Sequence, residues 1–219
     1  MHIEYSYYDS SSNEIETKEI ISKVIKYPVN TIAVLPTYLR SVKTIIPSNI
    51  ELCCPIDYPL GIIDNKSRIS ILEGAIKNGA KSVDMVCPSY ILCNRKYDKF
   101  REEIKEAVTI CSNNNIKLRY MLEYRIYSYE LLYKIAQILL DHGVTTILPS
   151  TGYLLDDIND NILACVLIHK KVANMNIICN GNIWNQKQID TVQKADLYGL
   201  RVNSINALSI ISEKSQNNS

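Results

Sequence analysis

Charged and polar side chains recur directly behind, or at the ends of, short apolar runs: Asp57, Asp84, Arg119, Glu123, Ser150, Thr151, Asn180, Asn182, Arg201, Asn203 and Ser204. Read with a period of two, Arg119, Met121 and Glu123 share one face of an extended segment. Charges that leave water need partners, and Asp84 and Glu123 set against Arg119 and Arg201 would balance. Two kinds of chemistry fit that set. One is a structural ion-pair network. The other is an acid/base or anion site, with Asp84 or Glu123 as base and Arg119 and Arg201 holding an anionic substrate or stabilising an enolate. Ser150-Thr151-Gly152 and Asn180-Gly181-Asn182 are short polar turns behind apolar runs. Turns of this kind can expose backbone N–H groups to a phosphate, although Ser, Asn and Gly are common in turns of every function.

Other chemistries lack their residues. His2 lies in the first residues, His142 stands beside Gly143 at a helix end, and His169 precedes Lys170 and Lys171 on a surface helix. None has the carboxylate or cysteine neighbours of a metal site, so no metal and no cofactor is expected. No phosphate-binding glycine loop, dinucleotide fingerprint or serine elbow occurs. A formal net charge of +1 without a basic block argues against nucleic acid or a membrane surface as partner. Seven scattered cysteines are an odd number with no framework spacing, which reads as reduced thiols in a reducing compartment. The first residues carry no basic and apolar leader pattern, and no apolar run reaches the ~20 residues of a membrane span. A cytoplasmic protein acting on a small molecule is the expectation.

Positioning these residues requires alternating elements. Strand candidates fall at 3–8, 31–35, 50–56, 82–87, 116–123, 145–149, 176–179 and 197–202. Most are short apolar runs, as in parallel strands buried on both faces. Helical stripes fill the gaps: Ile69, Leu72, Ala75 and Ile76; Tyr97, Phe100, Ile104, Val108 and Cys111; Leu132, Ile135, Ala136 and Leu139. Gly79 and Gly143 stand where a left-handed helix end is wanted, and Ser10-Ser11-Ser12-Asn13 is a loop and cap before Glu14. Eight strands alternating with helices over 219 residues predict an α/β fold, a (β/α)8 TIM barrel formed as one domain over 1–219. A frayed tail is expected over about 211–219. In such a barrel, chemistry sits at the C-terminal ends of the strands.

Four segments in order carry a family resemblance. Ala33-Val34-Leu35-Pro36-Thr37-Tyr38-Leu39 resembles the second strand and following helix start of the deoxyribose-phosphate aldolases. Tyr58-Pro59-Leu60-Gly61 resembles their Phe-Pro-Leu-Gly turn. Gly79-Ala80-Lys81-Ser82-Val83-Asp84-Met85-Val86 resembles their Gly-Ala-x-Glu-(Ile/Val)-Asp-Met-Val strand, and Pro149-Ser150-Thr151-Gly152 the end of their Lys-Thr-Ser-Thr-Gly motif. The likeness runs over about 3–210 and implies a class I aldolase barrel. In that family one lysine forms a Schiff base, a second lysine lowers its pKa, and an aspartate takes part in proton transfer. The resemblance puts Asp84 at the aspartate, Leu148 at the Schiff-base lysine and Ile178 at the second lysine, so both amines are missing. The family's Gly-Gly-(Ile/Val)-Arg phosphate turn reads Gly181-Asn182-Ile183-Trp184 here. Its Gly-x-Ser-Ser turn reads Arg201-Val202-Asn203-Ser204, where a guanidinium would intrude on the phosphate or bind an anion.

Three functions follow as expectations. The first is a diverged lyase or isomerase using acid/base chemistry, with Asp84, Glu123 and Arg119 catalytic. Ser150, Thr151, Gly152, Asn180, Gly181, Asn182, Arg201, Asn203 and Ser204 would then bind substrate or anion. The second is a non-catalytic ligand-binding or regulatory barrel. The third, deoxyribose-phosphate cleavage, rests on family membership alone. A phosphorylated ligand and a homodimer are both left open.

Overall fold

The computed structural model describes residues 1–155 and 157–217. Among them, eight parallel strands close into a barrel in chain order. The strands are β1 His2–Tyr7, β2 Thr31–Val34, β3 Glu51–Ile56, β4 Ser82–Val86, β5 Lys117–Met121, β6 Thr146–Leu148, β7 Asn176–Asn180 and β8 Gly199–Val202. Around them run α1 Glu14–Val24, α2 Leu39–Lys43, α3 Asn65–Lys77, α4 Ser89–Cys93, α5 Tyr97–Asn113, α6 Tyr129–Asp141, α7 Ile158–Lys171, α8 Gln186–Lys194 and α9 Ile205–Asn217. The predicted TIM barrel is therefore the observed fold. Every expected strand is present, with ends shifted by at most two residues. The tail expected from 211 is helical through Asn217 as part of α9, and 218 and 219 lie outside the described residues.

Local signals explain the elements. The Asn13 side chain accepts from Ile15 N and Glu16 N, and Glu16 reaches back to Asn13 N, a reciprocal cap that starts α1. Gly79 and Gly143 follow α3 and α6 with φ of 101° and 89°, a conformation that costs glycine little. The α6 stripe of Leu132, Ile135, Ala136 and Leu139 is fully buried. Each large aliphatic side chain buried this way contributes roughly 1.5–3 kcal/mol.

The pleat divides the apolar side chains into two bodies. Outward-facing strand residues such as Val83 and Met85 pack with Leu72, Phe100 and Ile104 in a core between barrel and helices. A second, smaller cluster lies inside the barrel: Val86, Met121, Leu148 and Ile178, with Tyr8 and Tyr58 packed against it.

Candidate functional site

Four charges from four strands meet inside the barrel. Glu4 pairs in register with Arg201 across β1 and β8, and Asp84 with Arg119 across β4 and β5. Arg119 donates from Nε to Asp84 Oδ1 at 2.7 Å and from Nη1 to Glu4 Oε1 at 2.5 Å. Arg201 donates from Nη2 to Asp84 Oδ2 at 2.6 Å and to Glu4 Oε2 at 2.6 Å, and from Nε to Glu4 Oε2 at 2.8 Å. The two carboxylates and two guanidiniums close a neutral ring. Its members are buried, Arg119 being the most exposed at 5%. Burial alone would raise both carboxyl pKa values. Arg119 and Arg201 outweigh it, holding Glu4 well below the usual range and Asp84 below it. Cys53 adds its thiol, 3.2 Å from Asp84 Oδ2 and 3.1 Å from Arg119 Nη2; burial first, and then Asp84, push it up to about 12.

This arrangement corrects the pairing expected from sequence. The second carboxylate of the ring is Glu4, which sequence reasoning missed, and not Glu123. The missed signal is the alternation His2, Glu4, Ser6, Tyr8 along β1 and just past its end, one polar side chain per inward step. Val86 and Met121 lie one inward step nearer the C-terminal ends than Asp84 and Arg119. Met121 pairs in register with Leu148. The inner apolar cluster lies on the mouth side of the ring only there: Ile178 pairs with Gly199, one inward step nearer the N-terminal ends than Arg201, so the cluster, Leu148 and Ile178 included, and the ring together floor the barrel mouth.

Above the floor is a cavity of about 410 Å³, within the ~300–1,000 Å³ common for small-molecule sites. Ser6, Tyr8 and Tyr58 line one side; Thr151, Gly152 and Tyr153 another; Asn180, Gly181, Asn182 and Asn203 the third. Asp84, Arg119, Arg201, Glu123, Ser150 and Ser204 do not line it. Arg201 reaches it only through Tyr8, whose hydroxyl accepts from Arg201 Nη1 at 3.0 Å. Burial pushes the Tyr8 phenol well above its ordinary value against the pull of Arg201, so it stays protonated.

Glu123 does different work from the ring. Its Oε2 accepts from Thr151 Oγ1 at 2.6 Å and from Thr151 N at 3.3 Å, tying the loops after β5 and β6 together. Its Oε1 is buried and has no hydrogen-bond partner among the described residues. The Ser150-Thr151-Gly152 turn also departs from expectation, because it satisfies itself. Gly152 N donates to Ser150 Oγ at 3.0 Å and Tyr153 N to Thr151 Oγ1 at 3.3 Å. Asn180 Nδ2 donates to Ser150 O at 3.0 Å, and Asn203 Nδ2 to Asn182 Oδ1 at 3.2 Å.

A second buried charge group holds the cavity rim. Arg68 on α3 donates from Nη2 to Val86 O at 2.5 Å. Its guanidinium lies 3.5 Å from Asp57 Oδ2 and 3.4 Å from Glu103 Oε2. Asp57, with φ of 60°, accepts from Ile62 N and Ile63 N and so folds the loop that presents Tyr58. Burial raises both Asp57 and Glu103, against Arg68. Among the described residues no cluster of His, Cys, Asp and Glu could hold a metal ion.

A closed βα barrel with a small-molecule cavity at the C-terminal ends of its strands defines the class. No family model matches the chain. In sequence it is similar to a deoxyribose-phosphate aldolase of Metamycoplasma arthritidis (28% identical over 138 residues), and the match spans only 62% of either protein. It is also similar to one of Caldicellulosiruptor saccharolyticus, 22% identical over 213 residues, 96% of each. Among solved structures it is similar to "QR15, an Aldolase", with a TM-score of 0.87 and 20% identity over 99% of this chain and 96% of that one. The chain is thus similar in sequence to deoxyribose-phosphate aldolases and shares the barrel fold of a solved aldolase.

Proposed function

We propose that this barrel binds a small carbonyl- or hydroxyl-bearing molecule in the mouth cavity and is a ligand-binding member of the aldolase scaffold that forms no imine. One observation carries the reading: the side chains at the two positions that the resemblance aligns with amines, Leu148 and Ile178, are fully buried in the apolar floor. Among the described residues no lysine lines the cavity. Asp84 and Arg119, expected as base and anion holder, are engaged with each other, with Glu4 and with Arg201. Covalent catalysis needs an activated nucleophile, and this cavity offers none among the described residues.

A second reading, a lyase or isomerase using acid/base chemistry, is favoured by the buried Oε1 of Glu123, which has no hydrogen-bond partner among the described residues. Deoxyribose-phosphate cleavage stays tied to the relatives' name. A reducing, cytoplasmic setting is part of the proposal, supported by the scattered, odd-numbered cysteines of the sequence. So is a homodimer, supported by the exposed apolar side chains of Leu60, Ile62 and Tyr90 on adjoining segments.

The test is borohydride reduction of the purified protein with deoxyribose 5-phosphate and with 2-deoxyribose, read by intact mass beside a lysine-containing aldolase. No adduct is expected. An adduct on this chain refutes the reading. Turnover that tracks the protein through purification and disappears in Glu123→Gln favours the acid/base reading instead.

A further inference from the structure

We infer that the mouth cavity selects an uncharged, hydroxyl-rich ligand with one apolar face, such as an unphosphorylated sugar, over its phosphate ester. This deepens, and rests on, the reading of the cavity as a small-molecule site. Three observations carry it.

The first is charge. Among the described residues that line the cavity, Asp9 is the only charged one, and it is an anion. Hydrogen bonds from the Ser11 side chain and backbone hold its carboxyl below the usual range, so it is ionised at neutral pH. The buried cation that reaches the cavity wall, Arg201 through Tyr8, belongs to the ring, where Glu4 and Asp84 cancel its charge and that of Arg119.

The second is the turn after β6. The N–H groups of this turn are already donating: Thr151 N to Glu123, Gly152 N to Ser150 Oγ and Tyr153 N to Thr151 Oγ1. A phosphate arriving there would have to displace them, with no cation to compensate.

The third is what the cavity offers instead. Tyr8 and Tyr58 meet with ring centroids 4.6 Å apart, and Tyr153 stands edge-on to Tyr58 at 6.3 Å. Three rings make an aromatic wall that suits the C–H face of a sugar. A guanidinium only donates, so the Tyr8 oxygen is the acceptor from Arg201, and among the described residues no acceptor is assigned to the Tyr8 proton. Tyr8 lines the cavity, and its O–H is therefore free to donate to a ligand oxygen.

Calorimetric titration of the full chain with 2-deoxyribose and with deoxyribose 5-phosphate tests the inference. The sugar is expected to bind at least about tenfold more tightly than its phosphate. Asn182→Lys, which puts a cation on the rim away from the tyrosine wall, is expected to narrow or reverse that ratio. Equal or tighter binding of the phosphate by the native chain overturns the selectivity but leaves the cavity a ligand site. Binding of neither compound at millimolar concentration sinks both the selectivity and the reading beneath it. Tyr8→Phe separates the roles: it removes the donor and keeps the ring, and an unchanged affinity for the sugar would remove Tyr8 from the inference.

Discussion

Replacing Arg201 by Met asks whether the ring of Glu4, Asp84, Arg119 and Arg201 is structural. The side chain is fully buried and makes three hydrogen bonds to Glu4 and Asp84 and one to Tyr8. Its loss leaves two buried carboxylates facing Arg119 alone. Breaking a buried pair on one side costs about 3–5 kcal/mol. For a chain of this size, each kcal/mol moves the melting midpoint by roughly 2–4 °C, so a fall of about 6–20 °C is expected, together with a matching loss in urea. The pH dependence distinguishes this loss from simple mispacking. In the native chain Glu4 and Asp84 titrate below their unfolded values. Their stabilisation is present above about pH 4 and is lost as pH falls through the lower folded values. In the variant one carboxylate has no compensating cation, and burial raises its folded pKa above the unfolded one. That group stabilises below the unfolded pKa, and the stabilisation is lost as pH rises through the raised folded value. The deficit is therefore largest at neutral pH and shrinks on acidification.

The double variant Glu4→Leu with Arg201→Met completes the argument. It leaves Arg119 and Asp84 as a neutral pair at 2.7 Å and puts apolar side chains where two charges were. Removing both partners of a buried pair is often close to neutral, so the double variant is expected to recover more than half of the single variant's loss. A loss below about 1 kcal/mol for Arg201→Met, the range of exposed pairs, or a deficit indifferent to pH, would refute the structural role. It would also return Arg201 to the list of groups available to an anion.

Two further substitutions probe the floor and the rim. Leu148→Lys places an amine in the apolar floor, where desolvation lowers its pKa and makes it nucleophilic. Borohydride with 2-deoxyribose should then trap an adduct that the native chain does not form, and no adduct in the variant would mean that the floor is out of the ligand's reach. Gly61→Ala sets a side chain at φ of 64° with its Cβ 2.1 Å from Cys87 O. A loss above about 2 kcal/mol in urea is expected, and a loss within about 0.5 kcal/mol would mean that the loop carrying Tyr58 is not pressed onto β4.

The strands were legible because each is a short apolar run between turn residues, and a parallel strand covered on both faces has to read that way. The ring was half legible. Asp84, Arg119 and Arg201 stand inside apolar runs, where a charge draws attention. Glu4 sits three residues from the start of the sequence among tyrosines and a serine, so it reads as surface. Glu123 was placed in β5 by its spacing from Arg119, but β5 ends at Met121 and Glu123 precedes the short 3-10 turn Tyr124–Ile126. Period-two reasoning held for as long as the ladder did, and past Met121 the side chain goes to Thr151. Arg68 escaped notice although it shares the buried stripe of α3 with Leu72 and Ala75. A charge at helical spacing on an apolar stripe was the available signal. The engagement of the Thr151, Gly152 and Tyr153 N–H groups was not legible, because a turn that satisfies itself and a turn that waits for phosphate have the same residues.

Two tasks share the same barrel interior. In the ring, charge is held at zero net and out of water, and the consequence of a change there is stability. In the cavity, the described lining is neutral apart from Asp9, and the consequence of a change is recognition. If that division is real, substitutions in the two layers affect different observables. Variants of Glu4 should move the melting midpoint and leave ligand affinity intact in the molecules that stay folded. Tyr153→Ala, at a side chain 58% exposed, should weaken binding and leave the midpoint within about 2 °C, the effect of a surface change of ~0.5 kcal/mol. Equal movement of both observables by either class would mean that the ring takes part in whatever the cavity binds.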